Sequence, residues 1–345
     1  MDVMKRVLVT GGAGYIGSHT LVELSERGYE LFVLDDFSNS TPRSLDAVAK
    51  ITGKKIPYKV CDIRSEADVA AVFRDFRPDA VIHFAGVKSV GESCREPVKY
   101  YEINVQGTLN LLSVMQAAGC RNLIFSSSAT VYGAPSEIPL TENAALRPVN
   151  PYGHSKRMCE QVLLDLAAAD TRWRVGLLRY FNPAGAHASG LIGEDPNGEP
   201  HNLVPYISQV ASGLRTELKI LGDDYETPDG TGVRDYIHVV DLAIGHVVAL
   251  QHILEGTEAA PLVVNLGSGA GCSVMDVLTT FRRVSGQPIP ARVVERRPGD
   301  LPSYYSSSAL AAEKLNWRTE RGIEEICRDA WNWQSKNPQG YGGGQ

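Results

Sequence analysis

The stretch Arg6-Val-Leu-Val-Thr-Gly-Gly-Ala-Gly-Tyr-Ile-Gly-Ser-His19 decides the fold. A short β-branched run, Arg6–Thr10, passes straight into glycines at 11, 14 and 17, or in another register 12, 14 and 17, and from there into a helical pattern over Ile16–Arg27 that Gly28 closes. Strand, glycine turn and helix in that order form a phosphate-binding device. The glycines let backbone N–H groups approach a pyrophosphate, and the helix N-terminus adds unpaired donors and the positive end of its dipole.

Outward from this unit, β-branched runs alternate with longer helical patterns, which predicts parallel βαβ units. Strands are expected at Glu30–Leu34, Tyr58–Cys61, Ala80–Phe84, Asn122–Ser126 and Val175–Arg179, and a helix over Tyr101–Ala118 closed by Gly119. The expected fold is α/β, a doubly wound parallel sheet of the Rossmann kind. After Asn182 the texture turns loop-rich, with Pro183, Gly185, Gly190, Gly193, Pro196, Gly198 and Pro200, and residues 1–182 and 183–345 are expected as separate domains. The second reads as a smaller α/β domain, some segments of which return to the main sheet. Its expected helices are Leu203–Ser212, Val240–His252, Val274–Val284, Ala309–Leu315 and Ile323–Lys336, and its strands Leu218–Leu221, Leu262–Asn265 and Arg292–Val294. The ending, Gly340 to Gln345, is expected to be mobile.

At 345 residues and 43% hydrophobic the chain is large enough to bury a substantial core, and its 34 basic against 40 acidic residues leave a net charge of −6, with no basic field for nucleic acid. Its apolar runs are too short for a membrane span. No secretory signal precedes the first strand, so a cytoplasmic location is expected. Six dispersed cysteines without a Cys-x-x-Cys pair argue against a disulfide framework or a metal site.

Asp35 follows the second strand, 18 residues after Gly17, where a carboxylate hydrogen-bonds a ribose 2′-hydroxyl and repels a 2′-phosphate. NAD is therefore expected rather than NADP. Asp62, after the third strand, is a candidate for the adenine edge or a solvated strand-end carboxylate. Tyr152-Gly-His-Ser-Lys156 places a phenol and an ammonium one helical turn apart, and positive charge from Lys156 and an oxidised nicotinamide is expected to lower the tyrosine toward use as a base. Ser126-Ser-Ser128, at the carboxyl end of the fifth strand, adds a hydroxyl that can orient a substrate oxygen.

These stretches, with His83-Phe-Ala-Gly86 and Lys88, Ser126 through Gly133, Leu178 through Pro183, Gly232 through His238 and Arg297 through Pro302, carry a resemblance that spans essentially the whole chain. Together they are similar to the extended short-chain dehydrogenase/reductase family, and within it to the branch that epimerises UDP-hexoses. The resemblance implies reversible epimerisation of UDP-galactose and UDP-glucose at carbon 4 through a transient 4-keto sugar and tightly bound NAD. It makes Tyr152 the base, has Lys156 hold the nicotinamide ribose, and puts Ser128 on the sugar hydroxyl. As cofactor contacts it implies Gly11, Gly14, Tyr15, Ile16, Gly17, Asp35, Asn39, Ser40, Asp62, Ile63, Phe84, Ala85, Gly86, Lys88, Asn104, Ser126 and Tyr180. For the nucleotide-sugar it implies Asn182, Asn202, Leu203, Lys219, Ile220, Leu221, Arg234, Tyr236, Arg297, Asp300 and Tyr304. Arg234 and Arg297 also suit a pyrophosphate on chemical grounds, as cationic forks. The resemblance further implies a homodimer built on the helices near Tyr101–Ala118 and Tyr152–Ala169, and a sugar pocket walled by Tyr304.

Other activities remain open. An NAD-dependent nucleotide-sugar epimerase or decarboxylase of another specificity shares fold and Tyr-Lys pair. Dehydratases of the family carry an Asp-Glu pair where this chain has Ala129 and Thr130, which counts against elimination. A non-catalytic dinucleotide sensor is the alternative from another class.

Overall fold

In the computed structural model, residues 5–256, 260–297 and 299–343 are described. Seven strands form the main sheet: β1 (Arg6–Thr10), β2 (Glu30–Asp35), β3 (Tyr58–Val60), β4 (Ala80–His83), β5 (Asn122–Ser128), β6 (Arg174–Tyr180) and β7 (Leu262–Leu266). Their spatial order is β7-β6-β5-β4-β1-β2-β3, and β1 to β6 pair in parallel. The order reverses between β1 and β4, the switch point at which open α/β sheets bind ligands beyond their strand ends. Both faces of the sheet are covered, so Val7, Leu8, Val9, Val81, Ile82, Leu123 and Ile124 are wholly buried, and these strands read as continuous apolar runs rather than alternating ones.

The chain divides into two compact units, the first made of the chain up to Pro135 with Glu142–Tyr180 and Ala243–Val264, the second of Ser136–Thr141, Phe181–Leu242 and everything from Asn265 on. A single cut after 182 does not describe this division. Ser136–Thr141 leaves the first unit early. Conversely, most of the Val239–Glu255 helix and the start of β7 return to it.

Within the first unit, the expected Tyr101–Ala118 helix is two pieces, a π-helical turn over Tyr101–Gln106 followed by an α-helix over Gly107–Ala118 with Gly119 at φ +77° as its cap. β5 runs two residues beyond its expected end, so all three serines lie in the strand. The Pro151–Ala169 helix starts with Asn150 accepting from the Gly153 N–H and Pro151 in its first turn.

The second unit packs the helices Leu203–Ala211, Val274–Ser285 and Ile323–Lys336 around Ile207, Val277, Leu278, Phe281, Ile326 and Cys327. Strand Leu218–Leu221 pairs in parallel with Ala291–Val294. Very short pairings, Asn182–Ala184 with Tyr236–His238, and Val233–Arg234 with Cys272–Ser273 and Ser303–Tyr304, are too brief for any sequence period to reveal. The ending departs from the expectation of mobility. Gly340–Gly343 forms a 3-10 turn in which Tyr341 packs against Trp333 with ring centroids 4.7 Å apart and its N–H donates to Asp195; residues 344 and 345 lie outside the described residues.

Candidate active site

The glycine turn is held by close packing. Gly11 has φ +67°, and a Cβ there would stand 2.7 Å from the Ala85 nitrogen; one on Gly17 would stand 2.4 Å from the Gly11 oxygen. The helix it opens, Tyr15–Glu26, has no acidic residue in its first turn, so no side chain of its own offsets the positive end of its dipole. Asp35 is buried at the end of β2 and ties this turn to the next loop: its carboxylate accepts from the Ala13 and Phe37 N–H groups and from the Ser40 hydroxyl at 2.7 Å. Burial raises its pKa, against the pull of those hydrogen bonds. Asp62 is half-exposed and forked by its neighbour Arg64, which lowers its pKa.

Asn104 sits in the π turn and acts here as a clamp. Its side chain accepts from the Val87 N–H, donates to the Val87 carbonyl, and donates to Ser155 Oγ at 2.9 Å. Ser155 in turn donates to the Tyr152 carbonyl. Thus the loop after β4, carrying Phe84 to Lys88, is fastened to the helix that bears Tyr152. Beneath it His83 bridges Thr10 and Thr108, and burial with the nearby Lys156 charge pushes it down to about 3, so it is neutral. Phe84 and Tyr180 flank the buried ring of His246 at 4.8 and 5.8 Å, a residue that nothing in the sequence singled out.

Side chains alternate along β5, and the three serines separate accordingly. Ser126 is hydrogen-bonded to the Tyr180 hydroxyl. Ser128 is the side-chain partner of the Tyr152 hydroxyl and also accepts from Thr130. Ser127 turns away to donate to Glu160 at 2.6 Å, where Arg179 completes a buried bidentate ion pair at 2.8 Å and reaches on to the Tyr132 hydroxyl.

Lys156 is buried, with its ammonium 2.8 Å from the Ser126 carbonyl and 4.9 Å from the Phe125 ring centre. Burial pulls it down to about 8, and Cys159 and Glu160 act the other way. Burial raises the Tyr152 pKa, and the Ser128 hydrogen bond opposes it.

In the second unit, Asn182 donates through both its N–H and its side-chain amide to the Asp235 carbonyl. Arg234 pairs with Asp300 and donates to the Val233 carbonyl. Arg297 is exposed, Tyr236 is buried, and Tyr304 lies against Phe181 with centroids 5.7 Å apart. Asn202 occupies the position before the Leu203–Ala211 helix and donates to Glu194 rather than capping it. In the Leu218–Leu221 strand Lys219 is exposed and Ile220 buried. Among the described residues, no cluster of His, Cys, Asp or Glu is placed to hold a metal, and no helix is long and apolar enough to cross a membrane.

A switch-point glycine turn, an acidic second-strand end and a buried Ser-Tyr-Lys set define a dinucleotide-dependent enzyme of the short-chain dehydrogenase/reductase class. Residues 7–267 match the family model described as the NAD dependent epimerase/dehydratase family. The chain is 53% identical over 335 residues, 97% of its length and 98% of the relative's, to a UDP-glucose 4-epimerase of Bacillus subtilis (strain 168). Its fold matches, with TM-score 0.93 and 49% identity over 97% of this chain and 100% of the other, the UDP-glucose 4-epimerase of Bifidobacterium longum in complex with NAD+ and UDP. A second match, with TM-score 0.94 and 46% identity over 97% and 99%, is the UDP-glucose-4-epimerase of Stenotrophomonas maltophila with bound NAD and formylated UDP-arabinopyranose. The chain belongs to the NAD dependent epimerase/dehydratase family.

Proposed function

We propose that the chain interconverts UDP-galactose and UDP-glucose at carbon 4 through a transient 4-keto sugar, with NAD retained throughout. The observation that carries this reading is the buried Tyr152 hydroxyl on Ser128, one helical turn from the buried Lys156 ammonium. The names and bound molecules of the relatives support it. The residues present fit the dinucleotide: a glycine turn packed too tightly for side chains, a helix N-terminus free of acid, and a carboxylate at the end of β2. Carbon 4 has no adjacent carbonyl, so inversion requires oxidation first. NAD, when bound, would supply the redox chemistry, as acceptor and then donor of the carbon 4 hydride.

Tyr152 takes the proton of the 4-hydroxyl and gives it back on the return step, so no proton is consumed. Its raised pKa means that it releases its own proton only against nearby positive charge. Ser128, hydrogen-bonded to the same phenol, orients the sugar oxygen. Lys156, fixed on the Ser126 carbonyl, would hold the nicotinamide ribose, while Asp35 with Ser40 and Asn39 would take the adenosine ribose. Asn104 positions the loop of Phe84, Ala85, Gly86 and Lys88, and Asp62 and Ile63 meet the adenine. The first unit is thus the NAD-binding domain. The second holds the UDP moiety through Asn182, Asn202, Leu203, Lys219, Ile220, Leu221, Arg234, Tyr236, Arg297, Asp300 and Tyr304, a firm grip on the nucleotide that leaves the hexose free to turn.

The assembly is a cytoplasmic homodimer. Leu109 and Met158 are exposed apolar side chains that line a shallow groove with Tyr101 and Val105, a surface suited to a second copy. To test the activity, purified protein is incubated with UDP-galactose without added cofactor. UDP-glucose should form, and NAD should appear on denaturation; no turnover, or NADP as the principal species, refutes the reading.

A further inference from the structure

Asp235 lies between two residues assigned above to the nucleotide-sugar, Arg234 and Tyr236, and is itself wholly buried. Its backbone reaches two more. The Asp235 carbonyl accepts from both the N–H and the side-chain amide of Asn182, each at 3.0 Å, and its N–H donates to the Tyr304 carbonyl at 3.2 Å. Its carboxylate draws two further loops together. Oδ1 accepts from the Ser268 N–H at 2.7 Å and its hydroxyl at 2.6 Å. Oδ2 accepts from the Ser306 N–H at 3.0 Å, the Ser306 hydroxyl at 2.5 Å and the Gly269 N–H at 3.3 Å. Gly267 gives way to it, since a Cβ there would stand 2.4 Å from Oδ2.

Each carboxylate oxygen faces at least one backbone N–H, a group that only donates. An amide in the same place must turn its NH2 toward one of them whichever way it flips, and a buried donor then meets a donor. The site therefore requires a carboxylate and not merely its shape. We propose that Asp235 is a positioning residue for nucleotide-sugar binding, fixing Asn182, Arg234, Tyr236 and Tyr304 relative to one another through the loops at Ser268 and Ser306. This inference rests on the epimerase reading.

The test compares wild type, Asp235→Asn and Ser306→Ala in steady-state turnover of UDP-galactose, with NAD content and urea midpoint measured on the same samples. Asp235→Asn should raise KM at least about five-fold, proportionally more than it lowers kcat, because one unsatisfied buried donor is costly. NAD content should stay at the wild-type level, since the cofactor residues are elsewhere in the chain. Ser306→Ala removes one hydroxyl donor and should raise KM by a smaller factor. Wild-type protein without turnover refutes the epimerase reading itself. With an active wild type, a folded Asp235→Asn whose urea midpoint falls while KM is unchanged overturns the positioning role. Should that variant not fold, Ser268→Ala/Ser306→Ala carries the same test, and an unchanged KM there overturns the role as well.

Discussion

Replacing Glu160 by Gln should cost the protein more than most substitutions at its surface, and the reason lies under the catalytic helix. Glu160 is fully buried and accepts from Ser127 Oγ at 2.6 Å and from Arg179 Nε and an Arg179 terminal nitrogen, both at 2.8 Å. Arg179 is itself only 4% exposed in its side chain. Glutamine removes the charge that makes this burial tolerable and leaves a guanidinium in low dielectric, a loss of about 3–5 kcal/mol. Removing both charges together should be far milder, because the desolvation cost of the pair disappears with them. The assay is urea denaturation of wild type, Glu160→Gln and Glu160→Leu/Arg179→Met, with Glu324→Gln from the exposed Arg283–Glu324 pair as control. The single variant should fall sharply, the double variant should recover most of the loss, and the control should not move. A fall below about 1 kcal/mol for Glu160→Gln, or a double variant no more stable than the single, would refute the account of a buried pair whose halves depend on each other.

Tyr152→Phe should fold and retain NAD yet lose roughly 10²–10⁴-fold in turnover, as expected for removal of a general base; near wild-type rates would show that another group takes the proton. Lys156 loses its charge as pH rises through about 8, so NAD retained after dialysis should decline between pH 7 and 9.5, and a flat profile would sink its role as the ribose anchor. His83 is neutral when folded down to about 3 but takes a proton near 6.5 when unfolded. The unfolded state thus binds more protons in that window, the contribution is complete above 6.5 and is lost as pH falls. His83→Gln should flatten the stability profile between pH 3 and 6.5, and an unaltered slope would contradict this. Tyr304→Cys should gain turnover of UDP-N-acetylglucosamine if the tyrosine crowds a 2-acetamido group, a steric penalty of about 1–3 kcal/mol; efficient turnover of that sugar by wild type would remove the gate.

The sheet was legible because buried parallel strands leave short apolar runs punctuated by glycine, and β1 with its turn combines both signals within Arg6–Gly17. The Tyr152 and Lys156 pair was legible for a similar reason, being two reactive groups at a fixed helical spacing. What stayed hidden depends on partners far away in the chain. Ser127 looks like its neighbours until alternation along β5 sends it to Glu160, 33 residues on. Asp235 reads as one acid in a polar motif, and only Ser268 and Ser306 reveal that it is buried. The tail is not legible because one aromatic among glycines carries no periodicity, yet Tyr341 packs against a residue of the preceding helix.

The route of the chain between its two units bears on how the protein is made. A nascent polypeptide that has reached Tyr180 holds six of the seven strands of the main sheet, with β6 presenting an unpaired edge. The strand that covers this edge begins at Leu262, and most of the helix preceding it also belongs to the first unit. Synthesis must therefore pass through the Phe181–Leu242 stretch of the second unit before the first can close. A ribosome paused in between displays an open sheet edge, the condition under which nascent chains pair with one another or recruit a chaperone.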